Sequence, residues 1–212
     1  MMKTANRNEK PRRWRRCTRG VLPTPTPSDF VEGSPRLDGC VALPLDSPWT
    51  VVLPVKPLEL AKTRLDPEGR RGALALAFFR DCLAAVLACP RVGAVIIVTS
   101  DRVIASIAQR DGCLVVDDAD HPGINAAAGW AVQIAGAPAP VAVMVSDLPC
   151  LTPAAMTIVL DAALQSPTSF LADADGTGTT MWLRATGSGI DSRFGPQSAA
   201  AHRDGGAADI AA

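Results

Sequence analysis

Past residue 48 the chain alternates between two hydrophobic patterns. One is a short, nearly continuous apolar run, seen at Thr50–Val55, Ala94–Thr99, Cys113–Val116, Val141–Val145, Ser169–Ala172 and Thr180–Leu183. The other has helical spacing. Gly72–Cys89 puts Leu76, Phe79, Leu83 and Val86 on one stripe, and Asn125–Ala135 turns Ala128, Ala131 and Ile134 inward. Ser100-Asp101 caps a helix that runs to Arg110 and ends at Gly112. Thr152 caps another that starts at Pro153, a residue favoured in a first turn. Strands that are apolar throughout are buried on both faces, and their alternation with helices predicts a three-layer α/β domain around a mostly parallel sheet. Ligands of such folds bind beyond the carboxyl ends of the strands.

Residues 1–48 lack this pattern. They hold Pro23, Pro25, Pro27, Pro35, Pro44 and Pro48 and an arginine-rich start, and are expected to be a disordered, dispensable basic extension before a domain at 49–212. The chain is 48% hydrophobic but only 4% aromatic, with no Tyr, so its core rests on Ala, Val, Leu and Ile. Formal net charge is zero, yet the first 48 residues are basic and the rest mildly acidic, which argues against nucleic acid as a partner. No apolar run reaches the roughly 18 residues of a membrane span. Cys82, Cys89, Cys113 and Cys150 sit in apolar runs and are expected to be buried, and the absence of CxxC pairs speaks against zinc. A reducing cytoplasm is the expected compartment.

Several strand ends carry polar residues. After the first run come Lys56, Lys62 and Arg64, three cations where a triphosphate needs neutralising, or else a solvated loop. After the run at 141–145 comes Ser146-Asp147-Leu148-Pro149. An isolated Asp there presents a carboxylate to Mg²⁺, and Thr152 already takes the capping role that Asp147 could otherwise fill. Asp117, Asp118 and Asp120 end another strand, more in the manner of an exposed loop than a metal site. Asn125, at a helix start, caps it or faces a base edge. The Gly/Thr-rich stretch Asp173–Thr180 exposes backbone N–H groups suited to an anion, or is a flexible turn. Arg193–Ser198 adds a cation, a Gly and the start of a short helix.

Four segments taken together resemble the 2-phospho-L-lactate/phosphoenolpyruvate guanylyltransferases of coenzyme F-420 biosynthesis. They are Leu53-Pro54-Val55-Lys56 with Ala61–Leu65, Ser146-Asp147-Leu148-Pro149, Gly176–Thr179, and Arg193-Phe194-Gly195-Pro196 with Ser198 and His202. The resemblance implies a Rossmann-like nucleotidyltransferase domain that uses Mg²⁺, GTP and a three-carbon phosphorylated acid, favouring phosphoenolpyruvate over 2-phospho-L-lactate or 3-phosphoglycerate. It implies catalytic roles for Asp147 and Lys62, with Asp147 the metal ligand. Lys56, Arg64 and Asn125 would face the nucleotide, and Thr179, Gly195 and Ser198 the acid. Self-association into a homodimer is left open. Proteins of this type continue with a strand and a second acidic motif similar to Asp-Val-Asp-Thr-Pro. Arg203–Asp209 shows neither, so the sequence reads as a C-terminally shortened domain of impaired activity, or a non-catalytic GTP-binding remnant.

Overall fold

Strand β1 (Trp49–Pro54) lies inside a seven-stranded sheet, between β2 (Val92–Val98) and β4 (Val141–Met144). Beyond β2 comes β3 (Leu114–Val116). Beyond β4 come β6 (Thr179–Arg184), β5 (Thr168–Ala172) and β7 (Ala208–Asp209), for an overall order 3-2-1-4-6-5-7. The structure is a computed structural model and describes residues 48–58, 71–118, 123–135, 139–185 and 191–210, without the side chains of Arg71 and Ile134. The extension at 1–47, together with Lys62, Arg64, Asp120 and His121, lies outside the described residues.

All neighbouring pairs are parallel except β4–β6 and β5–β6, so β6 alone runs against the others. The mostly parallel sheet expected from the unbroken apolar strands is what forms. One consequence matters for the site. The carboxyl ends of β1 to β5 and the amino end of β6 all open onto one edge of the sheet.

Alternate residues of each strand serve opposite layers. Val51 and Leu53 face helices α1 (Arg71–Leu87), α2 (Arg102–Arg110) and α4 (Pro153–Ala163). That layer buries Phe79, Cys82, Leu83, Val86, Ile104, Met156 and Leu160. Val52, Val143 and Trp182 face α3 (Ile124–Ala135) through Ala127, Ala128 and Ala131. Small side chains on α3 let a helix lie close on a sheet face that carries a tryptophan. Helix α5 (Ser198–Asp204) packs Ala199 against Phe170 in a separate small cluster.

Two expectations are corrected. Arg203–Asp209 does end in a strand: Ala208 and Asp209 pair with Ser169 and Phe170, and Ile210 N–H donates to Phe170 O at 3.0 Å. The outer edge of β5 is therefore partly covered. Cys150 is exposed, unlike the buried Cys82, Cys89 and Cys113, because it sits in the turn after Pro149 rather than in the strand.

Candidate active site at the carboxyl edge of the sheet

At the β1–β2 corner, Val55 N–H donates to Val98 O at 2.9 Å, so the chain leaves β1 still paired. Three residues on, Leu58 N–H donates to Asp101 Oδ2 at 2.9 Å. The other Asp101 oxygen accepts from Val103 N–H and Ile104 N–H at 2.8 and 3.1 Å, the capping role expected for α2. Partial burial pushes the Asp101 pKa up, but bonds from Leu58, Ile104 and Val103 outweigh it and hold the carboxyl below its usual range. One carboxylate thus fixes both the start of α2 and the loop that carries the exposed Lys56.

The β4 corner is pinned from two sides. Val145 N–H donates to Thr180 O at 3.1 Å, and Ser146 Oγ donates to Pro54 O at 3.2 Å. Beneath them lies Cys82, with Sγ 4.0 Å from Val145 O. Burial pushes its thiol up to about 11; a bond from the Leu148 backbone lowers it and the Asp147 charge raises it. That thiol stays protonated and inert. Asp147 is exposed immediately beyond this corner. The cap of α4 is Thr152, which accepts from Ala155 N–H at 3.1 Å. Among the described residues, no group of three or more His, Cys, Asp or Glu gathers round a common point.

The β5–β6 turn is more ordered than a flexible loop. Asp173 O accepts from Gly176 N–H at 3.0 Å, and Asp173 Oδ1 accepts from Thr177 N–H at 3.0 Å. These N–H groups are engaged within the turn rather than held out for an anion. A Cβ at Gly178 would meet Asp173 Oδ2, so the carboxylate would have to shift. The turn delivers Thr179 to the start of β6, where it is buried. Ala199 N–H donates to Thr177 O at 3.1 Å and joins the turn to α5.

The Arg193–Ser198 arm is held from two directions. Asn125 Nδ2 donates to Phe194 O at 2.9 Å. Asn125 Oδ1 accepts from Phe194 N–H at 2.8 Å and from Ser192 Oγ at 3.1 Å. The residue expected to face the nucleotide therefore clamps the arm. From the other side, Arg193 N–H donates to His202 Nε2 at 2.8 Å. Gly195 adopts φ 146°, open only to glycine, and Gln197 adopts the left-handed φ 57°. Such a conformation costs a non-glycine residue about 1–2 kcal/mol, and strain of this kind collects at ligand-binding turns. Ser198 is buried, with its N–H donating to Gly195 O at 3.2 Å.

His202 joins the two arms. It is fully buried, stacked on Phe170 at 5.4 Å and edge-on to Phe194 at 5.7 Å. Its Nδ1 lies 3.0 Å from Thr179 Oγ1. Sequence reasoning included His202 in a motif but gave it no task. The available signal was its isolation, since the chain has only two histidines.

The sheet, in the order 3-2-1-4-6-5-7 with most of its strand ends on one edge, is a Rossmann-like α/β fold, in which ligands bind beyond the carboxyl ends of the strands. A structure described as a nucleotide-diphospho-sugar transferase from Desulfovibrio desulfuricans G20 superposes with a TM-score of 0.51 at 16% identity, covering 65% of this chain and 63% of that one. Residues 49–205 match the family described as guanylyl transferase CofC like, and the chain belongs to that family. A protein of Streptomyces coelicolor named phosphoenolpyruvate guanylyltransferase is 45% identical over 168 residues, 76% of this chain and 79% of the relative. One of the same name from Salinispora arenicola is 44% identical over 75% of this chain and 76% of its own length.

Proposed function

We propose that the chain transfers the guanylyl group of GTP to phosphoenolpyruvate, giving enolpyruvyl-diphospho-5'-guanosine and diphosphate, as a step of coenzyme F-420 biosynthesis. The observation that carries this reading is the family match through the whole carboxyl edge, joined to relatives above 40% identity that are named for this reaction. In the reaction a phosphate oxygen of the acid attacks the α-phosphorus of GTP and diphosphate leaves. Charge accumulates on the phosphoryl oxygens, and catalysis is chiefly positioning and charge neutralisation.

Lys56, Lys62 and Arg64 are assigned to the triphosphate. Asp147, exposed and pinned beyond β4, is assigned to a divalent ion. A lone carboxylate fits Mg²⁺, which takes one or two protein oxygens and completes its shell with phosphate and water; it does not fit an all-protein cage. When bound, that ion supplies neutralisation of the phosphate oxygens. Thr179, Gly195 and Ser198 are assigned to the acid. Asn125 is assigned to the nucleotide, and its amide also holds Phe194. Four free thiols among the described residues are in keeping with a cytoplasmic setting, and no described helix is long and apolar enough to cross a membrane.

The test is product analysis by mass spectrometry after incubation with GTP, Mg²⁺ and an equal mixture of phosphoenolpyruvate, 2-phospho-L-lactate and 3-phosphoglycerate. The enolpyruvyl product is expected to dominate, and Asp147→Asn to lower its rate by about two orders of magnitude or more without moving the melting temperature. A different dominant product reassigns the acid. Unchanged turnover of the variant removes Asp147 from the metal site.

A further inference from the structure

The hydrogen bonds around His202 fix its tautomer. Arg193 N–H donates to Nε2 at 2.8 Å, so Nε2 offers a lone pair and carries no hydrogen. The neutral ring then has its one hydrogen on Nδ1, which lies 3.0 Å from Thr179 Oγ1. Two donors cannot face each other across that distance, so Nδ1–H donates and Thr179 Oγ1 accepts. The hydroxyl's own hydrogen must therefore be presented elsewhere. A threonine that could have been donor or acceptor becomes a committed donor, and one polarised by the bond it accepts.

We propose that His202 is a positioning residue for the acid substrate, setting Thr179 Oγ as a hydrogen-bond donor to an anionic oxygen and, through Nε2, seating the Arg193–Ser198 arm on the same ligand. The inference rests on the proposed assignment of Thr179 to the acid. Three features support it. The ring is fully buried between Phe170 and Phe194, which leaves it no rotational freedom to change partners. Its two nitrogens reach two separate segments, the start of β6 and the loop before α5. An anion needs donors, and the arrangement turns an amphoteric hydroxyl into one. Burial lowers the ring's pKa first, the Ser198 backbone raises it and the Arg193 charge lowers it again, for a net fall below the usual histidine value, as a neutral ring requires.

The test has two parts. First, the full chain labelled with ¹⁵N-histidine carries only two histidines, and His121→Gln leaves the His202 signals alone. Long-range ¹H–¹⁵N spectra near neutral pH are expected to show a hydrogen on Nδ1 and a bare Nε2, the reverse of the tautomer that free imidazole side chains favour. An Nε2–H ring, or a charged one, overturns the proposal. This part needs no turnover, so it stands even where the proposed reaction fails.

Second, His202→Gln puts its amide near the Nε2 position, where the carbonyl oxygen can accept from Arg193 N–H, and leaves the Nδ1 position beside Thr179 without a donor. It is expected to raise the dissociation constant of phosphoenolpyruvate, measured by calorimetry, about tenfold, the size of one lost bond to a charged group. GTP affinity should stay within about twofold, which also reports that the variant is folded. Thr179→Val should weaken phosphoenolpyruvate similarly, and the double variant no further, because both remove the same bond. Equal loss of GTP and acid affinity, or additive effects in the double variant, shows a merely structural histidine and overturns the proposal. Should His202→Gln fail to fold, the tautomer and Thr179→Val with its GTP control decide the matter. Failure of wild-type protein to form the guanylylated product sinks the reaction instead, and leaves the binding comparison to judge His202.

Discussion

Replacing Asp101 separates the fold from the loop that carries Lys56, because one carboxylate serves both. Its Oδ1 accepts from Val103 and Ile104 at 2.8 and 3.1 Å, and its Oδ2 from Leu58 at 2.9 Å across 43 residues of sequence. Losing a helix cap costs about 1 kcal/mol. Leaving the part-buried Leu58 N–H without its charged acceptor adds about 1–2 kcal/mol. Asp101→Ala should therefore destabilise the protein by about 2–3 kcal/mol in urea titrations at neutral pH. Asp101→Asn keeps an oxygen for the cap but turns an amide N–H toward Leu58, so only the cross-loop part is lost, about 1–2 kcal/mol.

The same geometry sets a pH dependence. The native carboxyl titrates below its ordinary 3.8, so its contribution is fully present above that pH and is lost as pH falls through the folded value. The gap between wild type and Asp101→Ala should close in strong acid. Because Leu58 lies two residues past Lys56, Asp101→Asn should also raise the KM for GTP and leave that for the acid unchanged. An Asp101→Asn protein with a wild-type urea midpoint and a wild-type GTP KM would refute the coupling.

Gly178→Ala forces the Asp173 carboxylate away from its bond to Thr177 N–H, and should cost about 1–3 kcal/mol in chemical denaturation while raising the acid KM; a wild-type midpoint would mean the turn adjusts without strain. Acidification should destabilise the chain through His202. Its native pKa is depressed by burial, with the Arg193 cation facing it from the loop and the Arg203–Asp209 pair beyond Phe170, so stability is full above about pH 6.5 and falls below it until the folded value is passed. His202→Phe, if folded, should lose that slope below about pH 6.5, and an unchanged slope would assign it to another group.

Much of this architecture was legible along the chain because its causes are local. Val141–Met144 is buried on both faces and is apolar at every position. Thr152 and Pro153 announce α4, and Asp101 announces α2, through contacts with residues two or three positions away. Phe79, Leu83 and Val86 share a stripe that a period of 3.6 predicts, and all three are buried. What failed had no local cause. Strand β7 is two residues long, one of them an Asp, and exists because Phe170 offers a backbone edge. Cys150 follows a strand and a Pro, and the turn, not its apolar neighbours, decides its exposure. Asp147 is conspicuous in one dimension as a charge standing alone past an apolar run, and it is exposed at that strand end.

The residues that hold other polar groups were not conspicuous in that way. Asn125 at the start of α3 fits a helix cap or a reader of base edges by type and place. Three bonds to Ser192 and Phe194, the Phe194 pair spanning 69 residues, add a contact with the Arg193 arm that neither role foretells. His202 presents the same difficulty more sharply. Its sequence neighbours are alanines, Arg203 and Asp204, none of which indicates that its ring joins β6 to the Arg193 arm. A strand end can advertise charge to a reader of sequence, because exposure there follows from topology. Orientation of a hydroxyl follows only from which partner donates, and that is fixed by contacts 9 and 23 residues away in the chain. Under the proposed assignment of Thr179 to the acid this distinction is chemical as well as structural: a hydroxyl that donates attracts an anion, and one turned to accept would repel it.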